Sequence, residues 1–151
     1  MQKRCKMQDI RWKQRYSNYS SMVALLQTNL QTNELADFDE LEQIGLAKSF
    51  ELCFELLWNL LKDYLEYENI EIGVLSPNNI LKAAANKGVF EAADLNGDVL
   101  AKAHKCRNEL VHVYIKDKFL SALQNVKEMF LPELIKVDVY FRKLANGDSN
   151  E

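Results

Sequence analysis

Proline and glycine are scarce in this chain: two prolines and five glycines in 151 residues. Strands joined by tight turns need more of both, so the shortage argues for long, rarely interrupted helices and an all-α fold. The three cysteines, Cys5, Cys53 and Cys106, are odd in number and widely spaced, with no CxxC pair. That pattern offers neither a disulfide framework nor a zinc ribbon, and a reducing cytoplasm is the simplest expectation. No run of apolar residues approaches the length of a membrane span. The basic N-terminus leads into Asp9 and Arg11 rather than an apolar core, so no signal peptide is visible.

What the chain does have is apolar residues, 48% of the total, and an uneven charge. The net charge is −3. Residues 1–16 carry Lys3, Arg4, Lys6, Arg11, Lys13 and Arg15 against Asp9 alone, whereas residues 34–71 carry eleven acids against Lys48 and Lys62. One acidic helical face follows, and nucleic-acid binding over the whole surface is disfavoured. Any RNA contact would have to be local.

Helical periodicity organises the chain. Trp12, Tyr16, Tyr19, Val23, Leu26 and Leu30 recur at steps of three or four, which predicts a first helix over about 8–30. The stretch QTNELADFDE breaks the period. A long second helix then runs to YLEYE, with Leu46, Phe50, Cys53, Phe54, Leu57, Leu61 and Tyr64 facing inward and Glu51, Glu55, Lys62 and Glu66 outward. SPNN reads as a serine cap followed by proline at the first helical position, so a short third helix spans about 77–87 and stops at Gly88. LNGD is turn chemistry. A fourth helix over about 98–114 has Val99, Ala103, Cys106, Leu110 and Val113 as its apolar stripe. Asp117 can cap a last helix over about 118–145, kinked or broken at Pro132. No linker divides the sequence, so residues 1–151 are expected to form one domain with its core over about 8–145. Its architecture is an up-and-down bundle of four main helices plus one short one.

The chemistry concentrates in RNELVHVY, residues 107–114. On an ideal helix Arg107 and Tyr114 are nearly eclipsed, while Arg107 and His112 diverge by about 140°. Two such groups share one small substrate only if the helix ends or a second copy contributes, so a two-fold dimer through this helix is expected. His104, Asn108 and His112 form a further polar line, placed on the outer face. Its two histidines lie about 12 Å apart along the axis, and no acid or cysteine stands at ligand spacing, so no metal is assigned. Cys53 and Cys106 fall on apolar faces and read as packing residues. Trp12, Tyr16 and Tyr19 could stack on bases, but their helical spacing reads as core.

RNELVHVY resembles the Arg-x4-6-His signature of the HEPN superfamily of helical ribonucleases and nucleotidyltransferase partners. With tyrosine two residues past the histidine, it resembles the HepT toxins of MntA–HepT pairs. Four ordered blocks, IRWKQRYSNY, FELCFELLWNLLKDYLEYE, SPNNILKAAANKG and RNELVHVY, are similar to the related nucleotidyltransferase substrate-binding-protein family over about residues 9–135.

The resemblance implies a dimeric helical bundle that pairs with a small, separately encoded, MntA-like nucleotidyltransferase, as the helical half of kanamycin nucleotidyltransferase would if made as its own subunit. It implies no cofactor. Two functions stay open. In one the chain is a non-catalytic substrate-binding and docking subunit, which the acidic second helix favours. In the other it is a metal-independent ribonuclease toxin. There Arg107 would stabilise phosphate charge, His112 would move the proton and Asn108 would orient a partner. Tyr114 would be the hydroxyl that accepts AMP from the nucleotidyltransferase, which silences the site.

Overall fold

The computed structural model describes the backbone of residues 2–112 and 116–147 and the side chains of residues 6–110 and 118–147. Among these residues every regular element is helical. α1 (Gln2–Thr32) contains neither Gly nor Pro and extends six residues ahead of the predicted start. Continuing a helix requires only the absence of breakers, whereas the apolar period appears only where another helix lies alongside.

A 3₁₀ turn at Leu35–Asp37 reverses the chain into α2 (Glu40–Tyr67). The Asp39 side chain accepts the Glu42 N–H at 2.8 Å, and the Glu42 carboxylate accepts the Asp39 N–H at 2.9 Å. This reciprocal cap fixes where α2 begins. α3 (Pro77–Lys87) starts where SPNN predicts, with the Ser76 hydroxyl accepting the Asn79 N–H. It ends at Gly88, whose φ of +96° suits glycine. Gly88 leads directly into a short helix that the sequence reading did not separate, α4 (Val89–Ala93). Asn96 of LNGD then caps α5 (Gly97–His112), its side-chain oxygen accepting the Asp98 N–H at 2.9 Å.

The last helix differs from expectation. α6 (Lys116–Asn125) passes through a π-helical turn, Val126–Phe130, into α7 (Leu131–Ala145). Pro132 sits in the first turn of α7 rather than at the break itself. A proline ring crowds the carbonyl four residues before it, and widening the preceding turn relieves this: the Leu131 N–H donates to the Val126 carbonyl, five residues back. Asp117 lies inside the first turn of α6, not at its cap, because α6 starts one residue before it.

Residue pairing gives the directions. Trp12 meets Tyr64 and Tyr67, and Arg15 meets Asp63, so α1 and α2 are antiparallel. The Tyr19 hydroxyl donates to the Leu134 carbonyl at 2.7 Å and Trp12 meets Phe141, so α7 also runs antiparallel to α1. Phe50 stacks on Phe130, and Tyr64 meets Phe141 edge-on, which places α7 parallel to α2. α5 returns against α2 and α6, completing an up-and-down bundle. α2 is the central element, with Phe50, Phe54, Leu57, Leu60, Leu61 and Leu65 essentially inaccessible. Trp12 and Tyr19 are buried too, so the aromatic series of α1 is core rather than a stacking platform. Among the described residues no helix is long and apolar enough to cross a membrane.

Among the described residues three acids are buried where apolar patterning gives no hint of them: Asp63, Glu133 and Asp138. Each has a basic partner: Arg15 Nε donates to Asp63 at 2.8 Å, Lys136 to Glu133 at 2.9 Å, and Arg142 to Asp138. Burial of a carboxylate is tolerable only with such partners.

Candidate functional site

α5 presents a face different from the one its apolar residues predict. Leu100 and Ala103 are buried, while Val99, Cys106 and Leu110 are only half-buried, and Val113 lies outside the described residues. The inward direction is therefore rotated toward His104 and Arg107, which turn to α2. His104 is not on an outer face: its ring stacks on Phe54, centroids 5.6 Å apart with 23° between planes. Counting apolar residues misses this because an imidazole, flat and weakly polar when neutral, packs on an aromatic ring as readily as an aliphatic side chain does.

Arg107 is the second surprise. Its side chain is 26% exposed, with Nη2 4.0 Å from the Glu55 carboxylate and Nη1 donating to Asn108 Oδ1 at 3.2 Å. Asn108 also meets His104 Nε2 at 3.4 Å. Glu55, Arg107, Asn108 and His104 thus form one polar chain across the α2–α5 seam. Two enclosed atoms in it, Arg107 Nε and His104 Nδ1, have no hydrogen-bond partner among the described residues. Burial first, and then the Arg107 charge, hold the His104 pKa below the ordinary imidazole value of 6.5. A neutral ring accepting from Asn108 at Nε2 carries its proton on Nδ1.

The structure brings Arg107 and Asn108 together. The His112 backbone ends α5, but its side chain and the whole of Tyr114 lie outside the described residues. The apolar spacing puts Glu55 on the solvent side, where it is exposed, and His104 outward, whereas the structure turns His104 onto Phe54. A partner contribution from Glu55 is set by the packing of α2 on α5, 52 residues apart in sequence, and no local signal carries it.

Beyond Asn108, α5 and α6 enclose an open groove of about 670 Å³. Among the described residues Lys102, Lys105 and Lys118 line it against a single acid, Glu109, and its floor includes Ala122 and Phe130. It continues into a second hollow of about 430 Å³ that Asn108, Leu110 and Phe119 line. Among the described residues none of the three lysines has an acid within ion-pairing distance. In a chain of net negative charge this groove is a local positive field over an apolar floor, suited to an amphipathic anion. Lys118 joins Lys102 and Lys105 only through the fold, which is why the sequence does not reveal the cluster.

Neither described cysteine is a nucleophile at neutral pH. Cys53 is fully buried, and burial pushes its thiol far up. Cys106, half-buried at the groove, is pushed up to about 11 by burial and the Glu109 charge. Among the described residues no three His, Cys, Asp or Glu side chains converge as metal ligands.

The geometry defines an all-α bundle with a polar seam and an adjoining basic groove. A family model described as nucleotidyltransferase substrate binding protein like matches residues 14–142, and the chain belongs to that family. The match covers every element from the middle of α1 to the last turn of α7. No curated protein matches the chain.

Proposed function

We propose that this chain is the helical substrate-binding subunit of a two-component nucleotidyltransferase, folded as one HEPN-type domain and working in the cytoplasm as a dimer. Its partner is a small, separately encoded, MntA-like nucleotidyltransferase. The observation that carries the reading is the groove between α5 and α6, which lies within the span matched by the family and whose three lysines have no acid partner among the described residues. A subunit that binds substrate needs a concave, partly apolar site with a few charged groups to orient the ligand, and needs no nucleophile of its own. In this reading Asn108, which lines the groove's second hollow, borders the bound acceptor, with α5 of a second copy contributing across a two-fold axis.

The ribonuclease alternative has less support. Arg107 is three-quarters covered, tied to Asn108 and opposed by Glu55, a poor seat for an incoming RNA phosphate.

The test is nucleotidyl transfer by the purified partner with and without this chain. Transfer should require the chain, and Lys105→Glu with Lys118→Glu should raise the acceptor KM about tenfold or more. Transfer that proceeds equally well without the chain would refute the reading. Light scattering at micromolar concentration should give a dimer; a persistent monomer removes the two-fold groove.

A further inference from the structure

Gly45 occupies an interior position of α2, where glycine is the costliest ordinary residue for a helix. Nothing in its own chain requires it: a Cβ built there meets no atom within 4 Å, and the backbone is ordinary α-helix. The open space leaves room for a close approach by another backbone, which would explain the missing side chain.

The surface around Gly45 fits that explanation. Leu41, Ile44 and Leu52 are 77%, 43% and 40% exposed. Together with Lys48 they fall within about 80° on the α2 circumference, and Gly45 stands about 20° from Leu52. Leu25 of α1, half exposed, lines a shallow hollow beside Gly45 and continues the apolar surface. Scattered exposed apolar residues are ordinary on a soluble protein, but a stripe at helical spacing along one face is a contact surface. Glu40 and the largely covered Glu51, which pairs with Lys48 at 3.7 Å, follow one border of the stripe and Glu42 the other, while Glu55 falls on the stripe beyond Leu52, where it faces Arg107. A second copy of this chain would set the same acids against one another, whichever direction its α2 took, so the charge excludes self-association here and calls for a basic rim.

We propose that the outer face of α2, centred on Gly45, is the docking surface for the nucleotidyltransferase subunit. That subunit presents a helix with apolar side chains bordered by lysine or arginine. The inference rests on the functional reading above and adds the place of contact: α2 binds the catalytic subunit, and the α5–α6 groove is left open for substrate.

The experiment measures binding of a purified small nucleotidyltransferase from the same genome to wild-type chain, Gly45→Leu, Leu41→Glu and Glu40→Lys. Gly45→Leu fills open space in the isolated chain and improves helix propensity, so its melting temperature should rise or hold, yet its Kd should weaken about tenfold or more. Leu41→Glu, at a side chain 77% exposed, should weaken binding without unfolding the chain. Glu40→Lys, at an exposed position, should slow association and flatten its salt dependence. Wild-type affinity in both Gly45→Leu and Leu41→Glu would overturn the docking surface and leave the functional reading standing. No binding by the wild-type chain would overturn both. A dimer that becomes a monomer in Gly45→Leu would assign the face to a second copy and overturn the proposal.

Discussion

The Glu133 carboxylate of α7 accepts the N–H of Asn96 at 2.7 Å, tying a buried acid to the residue that caps α5. Its other oxygen takes Lys136 at 2.9 Å, and Lys136 also donates to the Asp94 carbonyl at 3.0 Å. α7 therefore clasps the 94–96 turn and sets the angle at which α5 leaves it. Glu133→Ala leaves the Asn96 N–H without its acceptor while Lys136 keeps the Asp94 carbonyl, and should lower stability by about 1 kcal/mol. Glu133→Gln, which keeps a carbonyl acceptor for Asn96, should cost less. Urea unfolding checks both, as a lowered midpoint with unchanged slope. Equal loss in the two variants would show that the carboxylate charge, and not the cap, is what matters.

His104 gives a pH signature. Its folded pKa lies below the ordinary 6.5, so the neutral ring is the form that the fold favours. Stability from this residue is fully present above about pH 6.5 and is lost as pH falls below it. His104→Phe keeps a stacking partner for Phe54 and should remove that part of the acid sensitivity. Ring-resonance NMR should show His104 titrating below 6.5; a midpoint at or above that value contradicts the burial account.

The two described cysteines should differ in reactivity. In a Cys5→Ser background, Cys53 should resist alkylation of the native chain, since it is inaccessible. Cys106 should react more slowly at pH 8 than a cysteine in an unfolded peptide and accelerate toward pH 11, as its thiol ionises at about 11. Mass spectrometry of the labelled peptides reads both rates.

Growth assays separate binding from toxicity. A binding subunit expressed without its partner should leave growth unchanged, and Arg107→Ala, His112→Ala and Tyr114→Phe should be equally harmless. Toxicity relieved by Arg107→Ala or His112→Ala, but persisting in Tyr114→Phe beside the nucleotidyltransferase, would instead establish the ribonuclease. Arg107→Ala should cost the fold little, about 0–1 kcal/mol, because the Glu55 it opposes is exposed and solvated.

Where a boundary is written in a few neighbouring residues, the sequence is a good guide. Asp39 with Glu42, Ser76 with Pro77, and Gly88 each act within one turn, and the helices begin and end there. What depends on distant partners is not legible. The inward turn of His104 needs Phe54, the burial of Asp63 needs Arg15, 48 residues earlier, and Glu133 needs Asn96, 37 residues away. The site divides in the same way. RNELVHVY draws attention to Arg107 and Asn108, yet Glu55 and the lysines of the groove join them only when α2 and α6 pack on α5.

The π-helical turn at Val126–Phe130 makes length, rather than chemistry, the adjustable property of part of this chain. It lets the rod change allegiance, α6 lying along α5 while α7 lies along α1 and α4. It also brings Lys127 to the end of α1, where its ammonium donates to the Asn33 carbonyl at 3.0 Å. Glu128 and Met129 are exposed, and many side chains would serve in their place. Removing one of them is absorbed locally: the Leu131 N–H, now bonded to the carbonyl five residues back, would meet the same carbonyl as an ordinary α-helical step, and Leu134, Val137 and Phe141 would keep their direction. Related sequences should therefore differ in count here, so that a one-residue alignment gap would mark a chain whose last helix has lost its π turn and kept its seat.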